Sequence, residues 1–333
     1  MPMVEKSYLI YGNPVTVTTD LEESIGLVDD IIGFFSAAAA DEKASPIRIS
    51  ILKSDSESIE KVMKELDGIE QLFAFDRLTG YRVGERLILV DGYSAAVCYP
   101  GKGIADIYLN LKTIEIRRFF SFIFFYIMLV EMLRYRGLYY VHASCVSVGE
   151  MGILISGDTG VGKSTLCITL LREGCKYLSD DGVLLKDEGE NVRILSLPGD
   201  FHIDPAISER FEELEKVKNA RKYGDGPKRS FRAEDVYPEQ FVLEAKQGFI
   251  FFPEITGEEK SALIPLGGAE ALAKLIPSSL LVMMDKDIAP MHLAALKKIV
   301  EKSKSYRMRS GADLIRSPHS VVSMIKKELF GEC

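Results

Sequence analysis

A glycine-rich segment near the middle of the chain constrains the fold more than any other feature. It reads Gly157-Asp158-Thr159-Gly160-Val161-Gly162-Lys163-Ser164-Thr165. This fits the pattern G-x-x-x-x-G-K-[ST], which is typical of loops that hold nucleotide phosphates. An apolar run over residues 152–156 precedes it, and a helix-compatible run follows it up to Gly174. We therefore predict a strand, a phosphate-binding loop over residues 157–165 and a helix that ends near Gly174.

Each part of this segment has a predicted role in holding ATP. Glycines allow backbone N–H groups to close on phosphates, and a helix N-terminus adds partial positive charge. The Lys163 ammonium is expected to reach the β- and γ-phosphates, and the Ser164 hydroxyl is expected to ligate Mg²⁺. ATP and Mg²⁺ are therefore the predicted cofactors, and Lys163 is predicted to be a catalytic as well as a binding residue.

Composition excludes several other classes of protein. The 333 residues are 47% hydrophobic and 27% charged, which suits one large or two ordinary globular domains. The net charge of -8 argues against a nucleic-acid partner, because phosphate backbones require basic patches. No two cysteines form a C-x-x-C pair, so we expect buried free thiols, no zinc site and a reducing cytoplasm. The cysteines are Cys98, Cys145, Cys167, Cys175 and Cys333.

One apolar segment, residues 119–130, could be mistaken for a membrane span. Arginines flank it on both sides, and Glu131 interrupts it. The run is well short of the roughly 20 residues that a spanning helix needs. No secretory apolar region follows Met1. We therefore predict a cytoplasmic protein without a transmembrane span, with a buried helix over 113–136 in preference to an interfacial or partner-binding helix.

The pattern along the chain predicts two domains that meet at Gly137. Residues 1–136 predict a smaller α+β domain of unknown role. It contains a hairpin over 5–19, a capped helix from Asp20, a helix over 56–66 and short strands from 71 to 111. Residues 137–333 predict an α/β domain built around the glycine-rich loop. Its predicted strands are 139–148, 152–156, 176–185 and 249–253, and its later helices start at 267, 292 and 317.

The stretch 207–240 is highly charged, with both signs mixed. It predicts a solvated helix and a mobile loop around 223–227. An ordinary surface excursion and an active-site lid are equally good interpretations of this stretch.

Two adjacent carboxylates, Asp180 and Asp181, follow the glycine-rich loop closely. Phosphoryl transfer needs a carboxylate to hold Mg²⁺ and often a second to accept the acceptor's proton. Because a strand points adjacent side chains to opposite faces, both can serve one site only at a strand end or a bulge, which Gly182 favours. A surface turn at Asp181-Gly182 is the alternative. His142, on the preceding predicted strand, is on its own better explained as a core residue.

Together these segments resemble the C-terminal domain of HPr kinase/phosphorylase. The matching residues are Val141-His142, Gly157 to Ser164, Arg172 to Gly174, and Leu178 to Asp181. The resemblance covers about residues 139–185 and implies a P-loop kinase domain akin to ATP-dependent phosphoenolpyruvate carboxykinase. It also implies that Asp181 deprotonates an acceptor serine, that Asp180 organises the metal with Ser164, and that His142 lies against the transferred phosphate.

The chain departs from that family downstream. The family's Leu-Glu-Ile-Arg-Gly-like signature reads Leu195-Ser196-Leu197-Pro198-Gly199 here, so Ser196 replaces the Glu and Pro198 the Arg. The family's late Pro-Gly-Arg segment has no visible match. Six residues are candidates to replace the missing groups, although each is better explained as a surface or packing residue. They are Asp200, His202, Asp204, Arg307, Arg309 and His319.

These observations predict an ATP- and Mg²⁺-dependent kinase that phosphorylates a serine hydroxyl of a peptide or protein. Kinases that tailor ribosomal peptides belong to the same wider group. Two alternatives remain open, namely a nucleotide-binding regulator without phosphotransfer and a kinase for a small metabolite. Related kinases are oligomeric, so a homo-oligomer is also open, although no sequence feature marks an interface.

Overall fold

A computed structural model describes residues 3–37, 45–54, 56–75, 77–110, 124–217, 219–222, 228–279 and 285–331. The chain forms two compact units. One contains Met1–Gly137 and Met284–Ile288, and the other contains Leu138–Met283 and Ala289–Cys333. Asp285 belongs to the first unit because its carboxylate binds Arg82 and Tyr135, a connection that the sequence does not reveal. The assignment of separate roles to 1–136 and 137–333 stays a prediction.

The first unit is built on a mixed sheet of eight strands. The strands are β1 (Val4–Ile10), β2 (Asn13–Thr19), β3 (Ile47–Lys53), β4 (Gln71–Phe75), β5 (Leu78–Val83), β6 (Arg86–Val90), β7 (Ala95–Tyr99) and β8 (Ile104–Leu109). Their order is β1-β2-β3-β8-β7-β6-β5-β4. The β2/β3 and β3/β8 pairs are parallel, and the other pairs are antiparallel. The helices are α1 (Glu22–Ile32), α2 (Ser56–Glu65) and α3 (Tyr126–Arg134), with 3₁₀ helices at Gly33–Phe35 and Pro100–Lys102.

The hairpin predicted over 5–19 is confirmed, because β1 and β2 pair antiparallel with Ile10 opposite Asn13. The capped start predicted for α1 is wrong. Leu21 occupies the N-cap position without a side-chain hydrogen bond. The Asp20 carboxylate instead accepts a hydrogen bond from the Lys53 amide, 2.7 Å away. A tertiary contact has therefore taken the side chain that local sequence assigns to the cap.

Helix α2 packs one apolar face on the sheet of the first unit. Ile59, Val62 and Leu66 recur at the spacing of one helical face and bury against residues of β5 and β6, including Ile88.

Only part of the helix predicted over 113–136 lies within the described residues, and this part, α3, is buried over most of its length. In the described ranges, no helix combines the length and apolarity required to cross a membrane.

The second unit contains a nine-stranded sheet, a small three-stranded sheet and seven α-helices in its described part. Its strands are β9 (Leu138–Val141), β10 (Ser144–Val148), β11 (Met151–Ile155), β12 (Lys176–Ser179), β13 (Val183–Asp187), β14 (Val192–Ser196), β15 (Phe201–Ile203), β16 (Arg221–Lys222), β17 (Arg229–Phe231), β18 (Glu244–Ile255), β19 (Ala262–Leu266) and β20 (Lys304–Ser310). Its helices are α4 (Lys163–Arg172), α5 (Pro205–Ser208), α6 (Ala233–Val236), α7 (Gly268–Leu275), α8 (Ala289–Lys302), α9 (Asp313–Arg316) and α10 (Pro318–Phe330), with a 3₁₀ helix at Glu212–Val217.

The nine-stranded sheet is covered by apolar layers on both faces, as expected of an α/β fold. Its main path is β12-β10-β11-β18-β14-β13-β9, and β20 joins β18 and carries β19. Alternate residues of β11 pack in apolar layers on opposite faces of the sheet. Ile153 and Ile155 pack in the cluster that contains α4 and α10, whereas Leu154 packs in the cluster that contains α7 and α8. This sheet positions the glycine-rich loop at the end of β11.

Two predicted strands of the second unit are interrupted. The strand predicted over 139–148 is two strands, β9 and β10, that separate at His142. The His142 amide donates to the Ser278 carbonyl oxygen at 2.7 Å, outside the sheet. The strand predicted over 176–185 stops at Ser179 and resumes as β13 at Val183. The strand predicted over 249–253 is longer than expected, since β18 spans Glu244–Ile255.

The solvated helix predicted within 207–240 is wrong for the described residues. They form short elements, from α5 to α6, that include β16 and β17. Phe211, Leu214 and Val217 bury their side chains in the core despite the surrounding charges. The loop predicted at 223–227 lies outside the described residues, and the lid interpretation stays a prediction.

The prediction of buried free thiols is confirmed for Cys98, Cys145, Cys167 and Cys175. Cys333 lies outside the described residues.

Candidate functional site

The glycine-rich loop connects β11 to α4 and owes its shape to three glycines with positive φ. Gly157, Gly160 and Gly162 have φ of +148°, +88° and +98°, values that side chains with a Cβ rarely adopt. A Cβ on Gly157 would also lie 3.2 Å from Val161 Cγ2. The strand, loop and helix predicted from the sequence are therefore present. The first amides of α4 have no partners within the helix, which leaves them available to an anion.

Lys163 is held above this loop by the loop's own carbonyl groups. Its Nζ donates to the carbonyl oxygens of Gly157, 2.8 Å away, and Asp158, 3.1 Å away. Burial lowers the pKa of Lys163, while the charges of Asp181 and Asp180 act in the opposite direction. The ammonium therefore lies where a bound phosphate would compete with two neutral carbonyls for it, and the phosphate's charge favours the exchange.

Asp180 is buried and hydrogen-bonded on both carboxylate oxygens. The Ser144 hydroxyl lies 3.0 Å from Oδ1, and the Ser164 hydroxyl donates to Oδ2 at 3.2 Å. The His202 amide approaches Oδ2 at 3.4 Å. Burial and the neighbouring charge of Asp181 raise the pKa of Asp180 to about 7, although these three hydrogen bonds oppose the shift. A buried carboxylate that shares a hydrogen bond with the loop serine is chemically suited to a divalent cation.

Asp181 presents its carboxylate to solvent while its main chain is fixed. Its side chain is 48% exposed. Its carbonyl oxygen accepts from the Tyr140 hydroxyl at 3.1 Å and from His142 Nδ1 at 2.8 Å. Because Nδ1 is the donor, Nε2 of a neutral His142 is the acceptor nitrogen. The Asp181 carboxylate, unlike that of Asp180, is therefore accessible from solvent.

Both carboxylates lie between β12 and β13 and not within a strand. Strand geometry requires the pair to lie at a strand end if both carboxylates are to serve one site. The segment Asp180-Asp181-Gly182 meets this condition. The structure brings Lys163, Ser164, His142 and both aspartates into one connected group, with Asp180 linking to Ser164 and Asp181 to His142. Asp158, Thr159 and Gly160 lie on the exposed side of the loop.

His202 is the candidate replacement residue that the structure places against the aspartate pair, with Nε2 at 3.8 Å from Asp181 Oδ2. The other candidates have partners elsewhere. Asp200 accepts from the Ser230 hydroxyl, and the Asp204 carbonyl oxygen accepts amide hydrogen bonds at the start of α5. The last three candidates lie in ion pairs with glutamates elsewhere, namely Arg307 with Glu270, Arg309 with Glu258, and His319 with Glu173.

The position of the family's missing glutamate is occupied by a structural serine. Ser196 is fully buried, and its hydroxyl donates to the Leu178 carbonyl oxygen. The Ser179 hydroxyl returns a hydrogen bond to the Leu197 carbonyl oxygen at 3.0 Å. These contacts join β12 to the segment that contains Pro198. They supply neither a carboxylate nor a cation to the site.

Three further residues shape the site and were missed by sequence reasoning, namely Ser144, Tyr140 and Ser278. Ser278 follows α7, and its hydroxyl lies 2.7 Å from the Ser156 hydroxyl at the start of the glycine-rich loop. Its carbonyl oxygen accepts from the His142 amide. One residue therefore fixes both the loop and the histidine. No local pattern marks it, because its partners lie more than a hundred positions earlier in the sequence.

The side chains present fit Mg²⁺. Ser164 and Asp180 offer hydroxyl and carboxylate oxygens, which are the ligands this ion prefers. In the described ranges, no group of three or more His, Cys, Asp or Glu residues could hold a metal. Mg²⁺ is usually held by one or two carboxylates together with substrate phosphates and water.

We expect the free protein to lose stability as the pH rises toward 7. The pKa of Asp180 is about 7 in the folded chain and about 3.9 in an unfolded one. The folded state therefore binds more protons between these pH values, and the free energy of unfolding falls by at most about 1.4 kcal/mol per pH unit. Urea unfolding without Mg²⁺ at about pH 5 and about pH 8 measures this loss.

The Asp180→Asn variant is expected to remove this contribution, because its amide does not ionise. Asp187→Asn, at the exposed end of β13, serves as the control and is expected to keep it. Equal pH dependence in the wild type and in Asp180→Asn would contradict the assignment of the shift to Asp180.

Comparisons with known proteins find sequence similarity over a small part of this chain. Residues 137–198 match the family model described as HPr Serine kinase C-terminal domain. HPr kinase/phosphorylase from Prosthecochloris aestuarii is 38% identical over 55 residues, which is 16% of this chain and 16% of the relative. HPr kinase/phosphorylase from Mycoplasmopsis pulmonis is 49% identical over 49 residues, or 15% of this chain and 16% of the relative. The chain thus spans about a sixth of the length of these curated relatives.

Among solved structures, the HPr(Ser) kinase/phosphatase from Coxiella burnetii aligns with 57% of this chain and 95% of its own length. The TM-score is 0.31 and the identity 11%, a likeness too distant to support an argument. The resemblance predicted from the motifs is nevertheless confirmed by sequence, since residues 137–198 are similar to the HPr kinase C-terminal domain.

Proposed function

We propose that this protein transfers the γ-phosphoryl group of ATP to a hydroxyl group, with serine of a peptide or protein as the acceptor. The observation that carries the proposal is the unequal environment of two adjacent carboxylates. Asp180 is buried and bonded to the loop serine Ser164, while Asp181 is half exposed beside it. This division suits phosphoryl transfer, which often uses one carboxylate to hold the metal and a second as proton acceptor.

In the proposed reaction, loop amides and Lys163 bind the nucleotide phosphates. Ser164 and Asp180 would hold Mg²⁺, which neutralises phosphate charge when bound. Asp181 accepts the proton of the acceptor hydroxyl while the oxygen of that hydroxyl forms a bond to the γ-phosphorus. The bond between that phosphorus and the bridging oxygen breaks, and ADP leaves with the electron pair.

His142 is proposed to assist the transfer from beside Asp181. Its Nδ1 is committed to the Asp181 carbonyl oxygen. A protonated ring therefore has Nε2 as its second donor, which suits a contact with the transferred phosphate. The same hydrogen bond ties the position of the ring to the backbone of the proposed base, so the two groups are held together.

Phosphotransfer to a whole-cell extract tests the proposal. Wild type, MgATP and extract are expected to yield new phosphoserine peptides by mass spectrometry, and Lys163→Ala is expected to yield none. Separating extract into macromolecular and small-molecule fractions distinguishes a peptide or protein acceptor from a metabolite. Absence of any phosphorylated product at saturating MgATP would overturn the proposal.

A second candidate function is nucleotide-dependent regulation without transfer. It is favoured by Ser196 and Pro198, which stand where the family carries a glutamate and an arginine. This candidate predicts ATP binding that depends on Lys163 and no phosphorylated product. A cytoplasmic location and a homo-oligomer stay predictions from the sequence.

A further inference from the structure

The most exposed large apolar side chain in the described part of the chain lies beside the glycine-rich loop. Ile255 ends β18 and is 65% exposed. A Cβ built on Gly162 would lie 3.5 Å from Ile255 Cγ1 and 3.7 Å from its Cδ1. This isoleucine therefore lies against the loop backbone, one residue before Lys163, and presents most of its surface to solvent there.

Strand geometry places Ile255 on the face of the sheet that carries α4. Phe249 and Phe251 of β18 pack in the apolar cluster that contains α4. Because strand side chains alternate, Ile255 follows them on that face at a period of two. β11, β18 and β20 are parallel, so their carboxyl ends meet at the edge where the glycine-rich loop begins. Open α/β sheets bind their ligands at this kind of edge.

The segment that follows this exposed isoleucine, residues 256–261, is bonded to its surroundings. The Thr256 amide donates to the Ser310 carbonyl oxygen at the end of β20, 3.0 Å away. The amide and the hydroxyl of Ser261 both donate to the Asp313 carboxylate at the start of α9. The exposure of the isoleucine is therefore not that of a frayed strand end.

Helix α9 also connects this segment to the helix that follows the glycine-rich loop. The Thr169 hydroxyl of α4 donates to the Leu314 carbonyl oxygen of α9 at 3.2 Å. The exposed side chain is thereby held in place relative to the loop. Single exposed apolar residues are common on protein surfaces, and what distinguishes Ile255 is this fixed place beside the loop.

The order of the strands indicates which part of a nucleotide would reach Ile255. Asp180 and Asp181 follow β12, which lies beyond β10 on one side of β11. Ile255 ends β18, which pairs with the other edge of β11. A terminal phosphate that approaches Asp181 therefore leaves the nucleoside end of the molecule toward β18. A nucleobase has a π-face that an apolar side chain can cover, whereas the phosphates offer no apolar surface.

We propose that Ile255 packs on the base of the nucleotide whose phosphates the glycine-rich loop holds. This inference rests on the proposed function, because it takes ATP to be the ligand of that loop. It assigns a residue to the nucleoside, in addition to those assigned to the phosphates and the metal. The contact favours a nucleotide over an inorganic polyphosphate of the same number of phosphates.

Calorimetric titration of the full chain with MgATP and with magnesium tripolyphosphate tests the contact. Ile255→Ser is expected to weaken MgATP binding about tenfold or more, because it removes the apolar surface that the base covers. Binding of magnesium tripolyphosphate is expected to change less than about twofold, since this ligand has no apolar surface to cover. Ile255→Leu is expected to stay within about threefold of the wild-type MgATP affinity, because it keeps an apolar side chain of equal volume.

Ile264→Ser is the matched control. Ile264 lies on β19 in the same sheet and is 39% exposed. Its neighbour Leu263 packs against the cluster that contains α4, so Ile264 is on the opposite face of the sheet. The control is expected to leave both affinities unchanged. Equal losses for MgATP and magnesium tripolyphosphate in Ile255→Ser, or no loss for either, would overturn the inference.

The same titrations separate this inference from the proposed function. If Ile255→Ser loses MgATP affinity selectively while the wild type phosphorylates nothing, the base contact stands and phosphotransfer falls. If the wild type phosphorylates an acceptor while Ile255→Ser binds MgATP normally, phosphotransfer stands and the base contact falls. A wild type that binds neither ligand overturns both.

Discussion

Replacing Lys163 with methionine is expected to weaken MgATP binding by about 100-fold or more. The Lys163 ammonium is expected to contact two phosphates, and each charge-assisted hydrogen bond is worth roughly 1.5–3 kcal/mol. In the part of the free protein that the structure describes, this group donates to the carbonyl oxygens of Gly157 and Asp158. Its loss should therefore cost affinity far more than stability. Calorimetry measures the affinity, and thermal unfolding in the presence of MgATP reports the lost stabilisation by ligand.

Lys186→Met is the control for this prediction. Lys186 lies on β13 with a 49% exposed side chain and a 3.8 Å contact to Glu188, a surface pair of little energetic value. It is expected to bind MgATP as the wild type does. Unchanged MgATP affinity in Lys163→Met would mean that residues 157–165 do not hold the nucleotide.

Replacing Asp181 with asparagine is expected to slow phosphotransfer by about 10²- to 10⁴-fold, the usual contribution of a general base. MgATP affinity should change only a few-fold, because Asp180 and Ser164 retain their hydrogen bond. The backbone contacts of Asp181 to Tyr140 and His142 involve its carbonyl oxygen and survive the change. Single-turnover kinetics on an identified acceptor separate the chemical step from binding.

The control for Asp181 is Asp187→Asn, which makes the same chemical change at the exposed end of β13 and breaks a surface pair with Lys298. It is expected to react at the wild-type rate. A transfer rate in Asp181→Asn equal to the wild-type rate would show that another group, or none, accepts the acceptor's proton.

The local parts of the site were predictable from the sequence. A strand, a glycine-rich loop and a helix are adjacent along the chain, so their order survives folding unchanged. The requirement that Asp180 and Asp181 lie at a strand end followed from the alternation of side chains and from Gly182. His142 was placed near the pair by family resemblance and not by its own local pattern.

The rest of the site depends on contacts between distant segments. The run 139–148 reads as one strand because tyrosine and valine, which favour extended structure, recur along it. Its break at His142 depends on Ser278, more than a hundred positions later. The acidic and basic residues of 207–240 likewise predicted a solvent-exposed segment, although Phe211 and Leu214 within it are buried in the core. Pattern reading detects a face, but it does not identify the segment that will cover it.

Phosphorus-31 NMR of the full chain with MgATP and the acceptor-containing fraction tests the central claim most directly, because it follows the transferred group itself. The predicted result is loss of the γ-phosphate signal with equal growth of ADP and of a phosphate monoester, absent with Lys163→Met and strongly slowed with Asp181→Asn. An ATP spectrum that stays unchanged, or that yields only inorganic phosphate, while the wild type binds the nucleotide would contradict a phosphotransfer site at Lys163, Asp180 and Asp181.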